Sequence, residues 1–382
     1  MNANGMNRPI YLDYQATTPL APEALEAMLP YLADRFGNPH SPHLLGREAD
    51  AAVERAREQI AGALGANPKR LFFTSGATES ANWALKGVMA APGQRRRRVV
   101  TIATEHACVL DSAEWLASLG YDVVLLPVGR DGLVDLDRAR AALSREAALL
   151  SVMAVNNEIG VVQPLAALSA MARAAGALVH VDAAQSFGKL PLDLTLCDLV
   201  SISGHKIFGP KGIGALWVAG DVSIRPLLHG GGQEGPGLRS GTLSPALCAG
   251  FGAAAQLAAG RMVEDAAHAE QLWTRALARI AGPFTLNGSE TARYRGNLNL
   301  MLPGVDAGRL ISEARGVAFS AASACASGSG RPSHVLTALG LSREEARSSI
   351  RIGFGRYTTL EEVDRAMEII NTAIARQRHH AA

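Results

Sequence analysis

A lysine set among glycines where an apolar run ends is the first residue in this chain equipped to do chemistry. Lys206 stands in Ser203-Gly204-His205-Lys206-Ile207-Phe208-Gly209-Pro210-Lys211-Gly212-Ile213-Gly214, entered from Leu199 to Ile202 and left by Ala215 to Val218. Burying an ammonium costs free energy, so packing alone is a poor reason for this placement. Partial desolvation lowers an amine's pKa and makes a nucleophile suited to imine formation. Arginine carries most of the positive charge, 32 residues against five lysines (Lys69, Lys86, Lys189, Lys206 and Lys211). That contrast marks Lys206 as a candidate Schiff-base residue. The alternative is a surface lysine in a glycine turn.

Other polar residues stand at the ends of other apolar runs. Val179-His180-Val181-Asp182-Ala183-Ala184-Gln185 ends on a carboxylate. It stays ionised there only beside a positive partner, such as a protonated pyridine nitrogen; capping the next segment is its other use. Gln185 can donate to a ring oxygen nearby. His106, in Thr104-Glu105-His106, is either a satisfied structural histidine or suited to acid/base work or ring stacking, and Asn157, closing a further run, is a candidate contact to cofactor or substrate. In Thr74-Ser75-Gly76-Ala77-Thr78-Glu79-Ser80 the hydroxyl residues either cap the following helix or leave its first N–H groups for a phosphate. No G-x-x-x-x-G-K-S/T pattern supports a nucleotide P-loop.

Three later stretches complete the set. His229 to Glu234 and Arg239-Ser240-Gly241-Thr242 form a glycine-rich loop, a connector or a source of phosphate ligands, with Thr242 as its hydroxyl donor. Cys325 lies in Ser320 to Gly330, where nothing bulky is available to bury against, so an exposed, mobile thiol is expected. Arg351, in the apolar stretch Ser348 to Gly353, calls for an anion, and a substrate carboxylate held bidentately fits.

The elements that must position these residues follow from the apolar pattern. Runs at Leu71–Phe73, Val99–Ala103, Val123–Leu126, Leu149–Val155, Leu178–Val181, Leu199–Ile202 and Ala215–Val218 alternate mostly with helical stretches or turns. Short strands buried on both faces predict an α/β domain with a mostly parallel, seven-stranded sheet. Helices are expected at Pro22–Leu32, about Gly46–Leu64 and on to about Ile280 in an alanine-rich stretch past Phe251. Beyond it, strands at Asn297–Leu302, Val317–Phe319 and Ile350–Ile352 and helices near Ala307–Ala314, Pro332–Leu339 and Leu360–Ala375 predict a smaller α+β domain. The expected division is 15–255 for the large domain, and 1–14 with 256–382 for the small one carrying the cysteine loop.

Composition narrows the partners. A 382-residue chain with 48% hydrophobic content buries a large core, and a net charge of +2 recommends neither nucleic acid nor an anionic membrane. Arg95 to Arg98 reads as a solvated loop. No segment approaches the length of a transmembrane span and no signal pattern is found, so a cytoplasmic protein is expected. Four cysteines, Cys108, Cys197, Cys248 and Cys325, form no C-x-x-C pair, against a disulfide framework or structural zinc.

Taken together, Tyr11 to Thr18, Thr74 to Ser80, Val155 to Gly160, His180 to Gln185, the Lys206 stretch, Arg239 to Thr242 and Ser323-Ala324-Cys325 resemble the pyridoxal-phosphate-dependent cysteine desulfurases of the class V aminotransferase family, in order from about Ile10 to Ala375. The resemblance implies the type I aminotransferase fold, a homodimer and pyridoxal 5'-phosphate as cofactor. It implies Lys206 as the covalent attachment point, Asp182 on the pyridine nitrogen, Gln185 on the ring hydroxyl, and His106 stacked on the ring as a proton carrier. Ala77, Thr78, Ser203 and His205 would hold the phosphate, with Thr242 from the partner subunit. Asn157 and Arg351 would fix the carboxylate of L-cysteine. Cys325 would take the sulfur as a persulfide and pass it to an iron–sulfur scaffold or another carrier. No metal is expected beyond a transient contact of Cys325 with a cluster. Ala322 stands where many members have glycine, and the chain closes at Ala382 without the longer tail that members serving a housekeeping scaffold use for docking, which leaves the acceptor open. A selenocysteine lyase, a class V transaminase, or a catalytically silent binding subunit are the alternatives; a transaminase does not need Cys325.

Overall fold

The computed structural model describes residues 8–143, 146–235, 237–321 and 333–381. After β1 (Ile10–Tyr11) come α1 (Pro22–Leu32) and α2 (Leu44–Leu64). The alternating part holds β2 (Leu71–Thr74), α3 (Ala77–Met89), β3 (Arg98–Ile102), α4 (Ala107–Ser118), β4 (Asp122–Leu126), α5 (Leu136–Ala142), β5 (Ala147–Met153), α6 (Leu165–Ala175), β6 (Leu178–Asp182), β7 (Leu199–Ser203) and β8 (Gly214–Val218). The remainder is α7 (Pro245–Arg279), β9 (Thr285–Leu286), β10 (Asn297–Met301), α8 (Ala307–Glu313), β11 (Val317–Ala318), β12 (Ser320–Ala321), α9 (His334–Ala338), α10 (Arg343–Arg347), β13 (Ser349–Gly353) and α11 (Leu360–Ala381).

The seven expected strands form one sheet in the order β2-β8-β7-β6-β5-β3-β4. Only β8 runs against its neighbours, β2 and β7; the other pairings are parallel. Since side chains alternate across a strand, adjacent apolar residues serve opposite faces. Val100, Leu150 and Val200 join the core under α2, α6 and the first half of α7, while Val99, Leu149 and Leu199 join the core under α3 and α4. Glycines with left-handed backbone, Gly65 (φ 74°) and Gly176 (φ 70°), end α2 and α6 and donate to their last carbonyls.

A separate core gathers Leu12, Leu298, Leu300, Ile350, Ile352 and Met367. Its antiparallel sheet runs β12-β13-β10-β9, and β1 pairs in parallel with β11. The expected strand at Val317–Phe319 is thus two short strands in different sheets, β11 and β12. Helix α7 also corrects an expectation: among the described residues it is one helix long and apolar enough, by length and composition, to cross a membrane. Its small residues have another use here. Ala254, Ala255 and Ala258 are buried, and Gly252 lies so close to Ala56 that a Cβ would sit 2.8 Å from that Cα, so α7 packs tightly along α2.

Candidate active site

The carboxyl ends of β2, β3, β5, β6 and β7 open on one cavity of about 1230 Å³, closed from the other side by Ser320, Arg351 and the α8 and α10 helices. Ligands collect at this edge of an open α/β sheet. At the end of β2 the hydroxyls do not cap α3. Thr74 Oγ1 pairs with Ser80 Oγ at 2.8 Å and reaches the Gly76 carbonyl, and no side chain caps the helix. The first-turn N–H groups at Ala77 and Thr78, both lining the cavity, remain for an anion. The turn needs glycine twice. Gly76 has φ 155°, and a Cβ on Gly214 of β8 would sit 2.7 Å from the Gly76 Cα.

Lys206 follows β7 in a single turn of 3-10 helix, and its Nζ donates to the carbonyls of Gln15 (2.5 Å) and Ala16 (2.8 Å). Backbone carbonyls just beyond β1 thereby fix where the ammonium sits. Asp182 ends β6 and is 2% exposed. Its Oδ1 accepts from Ala184 N–H at 2.9 Å, so it caps the next turn while lining the cavity. Burial raises its pKa, and the Ala184 N–H, His106 and Lys206 pull it back down. Gln185 Nε2 donates to the Gln15 carbonyl at 2.9 Å.

His106 begins α4 as its N-cap, with Nδ1 accepting from Cys108 N–H at 3.2 Å. In the neutral ring the proton then sits on Nε2. Burial lowers its pKa, Asp182 opposes that, and Lys206 and His334 add to it. His205 is held by Thr17, Nδ1 to Oγ1 at 3.0 Å, and burial with nearby Lys206 lowers its pKa to about 4. Ser203, at the end of β7, is buried and lines the same space.

Arg351 and Asn157 also line the cavity. Arg351 also meets an anion within its own chain: Asp13 Oδ1 lies 2.8 Å from Nη2. Nη1 donates to the Asn157 carbonyl at 3.0 Å, and Nε is buried without a hydrogen-bond partner. Thr242 is exposed and outside its own chain's cavity. Cys325 lies outside the described residues, so the expected exposed thiol has no structural counterpart here.

Sequence patterns missed Asp13, Gln15 and Thr17, which hold Arg351, Lys206 and His205 from near the amino terminus. Their polarity within Asp13-Tyr14-Gln15-Ala16-Thr17 was the available signal. Two ion pairs also escaped. Arg239 binds Glu79 at 3.0 Å, and Arg57 binds Glu234 at 2.8 Å, tying the glycine-rich loop to α3 and α2.

A mostly parallel sheet bearing this lysine, aspartate and glutamine at its carboxyl edge has the form of a class V aminotransferase. Residues 10–366 match the family described as aminotransferase class V, and the chain belongs to it. It is 47% identical to the cysteine desulfurase IscS of Rickettsia akari (strain Hartford), over 98% of this chain and 93% of that protein. Among solved structures, one described as a NifS-like protein superposes with a TM-score of 0.89 at 35% identity, covering 96% of this chain and 99% of that one. The NifS-like protein from Rickettsia africae ESF-5 superposes with a TM-score of 0.86 at 29% identity and the same coverage, 96% and 99%.

Proposed function

We propose that this chain is a cysteine desulfurase that uses pyridoxal 5'-phosphate to convert L-cysteine to L-alanine, working as a homodimer in the cytoplasm. The observation that carries this is the donor set of the one cavity, which fits the cofactor group by group. A lysine matches its aldehyde, a carboxylate its ring nitrogen, an amide donor its ring hydroxyl, and an uncapped helix terminus its phosphate. When bound, pyridoxal phosphate supplies an electron sink conjugated to the substrate's α-carbon.

The chain's own residues do the rest. Lys206 Nζ holds the cofactor covalently, and Asp182 keeps the ring nitrogen charged. Gln185 Nε2 donates to the ring hydroxyl oxygen. His106 covers the ring and moves protons through Nε2. The N–H groups of Ala77 and Thr78, with Ser203 and His205, hold the phosphate, joined by Thr242 of a second copy. Asn157 and Arg351 orient the substrate carboxylate. Cys325 attacks the substrate sulfur as a thiolate: the carbon–sulfur bond breaks, a sulfur–sulfur bond forms on Cys325, and the electron pair left on carbon takes a proton to give alanine. The persulfide then passes to an iron–sulfur scaffold or another carrier.

The two separate cores support a division into a larger cofactor-holding part, 15–255, and a smaller one, 1–14 with 256–382. Exposed Leu25, Leu29, Leu32, Phe36, Leu44 and Leu45, on α1, the loop after it and the start of α2, support the homodimer. Cys108, Cys197 and Cys248, free and buried, suit a reducing compartment.

The test is alanine release from L-cysteine by purified protein with a thiol reductant, beside Lys206→Ala and Cys325→Ser. Loss in both variants is expected. Undiminished alanine from Cys325→Ser would remove the persulfide step, and no alanine from the cofactor-loaded wild type would make another amino acid the substrate.

A further inference from the structure

Lys189 is a partly buried cation that the proposed chemistry leaves unused. It lines a small pocket together with Phe208, Asp265, Tyr294 and Arg356, behind the wall of the main cavity. Its Nζ donates to Gln185 Oε1 at 3.4 Å and lies 5.6 Å from the centroid of the Tyr294 ring. The opposite end of the Gln185 amide donates to the Gln15 carbonyl at 2.9 Å, and that carbonyl also accepts from Lys206 at 2.5 Å. Three side chains and one carbonyl thus form a continuous line from Lys189 to Lys206.

The polarity of the line decides its direction. An ammonium only donates and a carbonyl oxygen only accepts. An amide held between them has one favourable orientation, oxygen toward Lys189 and nitrogen toward Gln15. A primary amide carries two N–H bonds. Gln15 takes one, which leaves the second for the cavity that Gln185 lines.

We propose that Lys189 is a positioning residue that locks the Gln185 amide so that nitrogen, and not oxygen, is presented to the ring hydroxyl of bound pyridoxal phosphate. This rests on the reading of the chain as a pyridoxal-phosphate enzyme. Without Lys189 the amide can rotate and set its oxygen against the ring oxygen, a repulsive contact. The groups around Lys189 are Lys206 and His205 on the site side, and the Tyr294 ring with the Asp265–Arg356 ion pair on the other. Burial, reinforced by Lys206, lowers the Lys189 pKa to about 7. The donor-only form is complete below that value and is lost above it, where a neutral amine also accepts and the lock loosens.

The experiment compares wild type, Lys189→Met, Gln185→Ala and the double variant. Each is loaded with pyridoxal phosphate and followed by visible absorbance titrated against pH and by cofactor affinity. Lys189→Met is expected to raise the spectral midpoint by about half a pH unit or more and to weaken cofactor binding about tenfold, with both effects much smaller in the Gln185→Ala background. Wild-type midpoint and affinity in a folded Lys189→Met, or effects that add in full to those of Gln185→Ala, would overturn the lock. A lysine that only supports the fold would lower the melting temperature and leave the midpoint in place. If Lys189→Met does not fold, Lys189→Gln takes its place: either end of its amide can face Gln185, so a midpoint rise in the same direction is expected and an unchanged one overturns the proposal. A wild type that gains no visible band with pyridoxal phosphate would instead remove the cofactor reading.

Discussion

His180 sits in β6 with no exposed surface, its Nδ1 2.8 Å from Ser151 Oγ and its Nε2 2.8 Å from Ser201 Oγ. Burial lowers its pKa to about 3. The folded protein keeps this ring neutral where the unfolded chain, with a free value of about 6.5, has already taken up a proton. In that window the unfolded state binds more protons, so stability falls as pH falls, by up to about 1.4 kcal/mol per pH unit from this group. His180→Gln should lower stability at neutral pH and flatten the loss on acidification from about pH 6 to about pH 4. Urea unfolding across that range reads both effects. Burial raises the pKa of Asp182, at the end of the same strand, against the opposing pull of the Ala184 N–H, His106 and Lys206. Asp182→Asn should reduce alanine formation by about two orders of magnitude without unfolding the protein, as measured by initial rates beside circular dichroism.

At the scale of elements, the glycine-rich loop depends on charges that pair far from it in sequence. Glu234 is 1% exposed and accepts from Arg57 and from the Phe73 N–H. Glu234→Ala leaves the Phe73 N–H unpaired and Arg57 with only half-exposed Glu54 as counter-charge, and should cost about 3–5 kcal/mol, while Arg57→Met with Glu234→Leu recovers much of it. Denaturant midpoints of the three proteins decide this. Gly214→Ala would press a Cβ against the Ile202 carbonyl at 2.5 Å and the Gly76 backbone at 2.7 Å. A loss of about 1–3 kcal/mol is expected, with weaker pyridoxal phosphate binding as the α3 terminus shifts, read by thermal melting and cofactor titration. The seven strands of the large sheet were legible because each is a short apolar run, buried on both faces except at the edge strand β4, where Asp122 and Leu125 are exposed. The reversed direction of β8 was legible too, since the stretch from Gly204 to Ile213 is too short for a parallel crossover. Helix α10 had a readable signal that went unused: Ser342 and Glu345 form a capping box. Strands β9 and β12, two residues each, carry no period of their own and exist through their neighbours' hydrogen bonds. The pairing of Asp13 with Arg351 joins opposite ends of the chain, and no local pattern announces it.

At the scale of the whole molecule, α1, the loop after it and the start of α2 present an exposed apolar surface, with Phe36 at 76% and Leu29 at 55%. If the proposed homodimer forms through this face, Leu29→Asp with Phe36→Asp converts it to a monomer, as light scattering on a sizing column would record, and lowers cofactor affinity through loss of the proposed Thr242 contact with the second site. The long helix α7 belongs to two cores at once, with Phe251 and Ala255 in one and Leu272 and Trp273 in the other. That sharing makes separate unfolding costly, so a single cooperative transition is expected from calorimetry and from denaturant titration alike. Leu12 adds a consequence for how the protein is made. Its core partners lie between Leu272 and Ile374, so the first strand emerging from the ribosome waits for nearly the whole chain to be translated. The cavity waits with it, because Gln15 is needed to seat Lys206 and Asp13 to seat Arg351. Nascent chains stalled at residue 290 should therefore take up no pyridoxal phosphate, as the visible absorbance of purified stalled complexes would record.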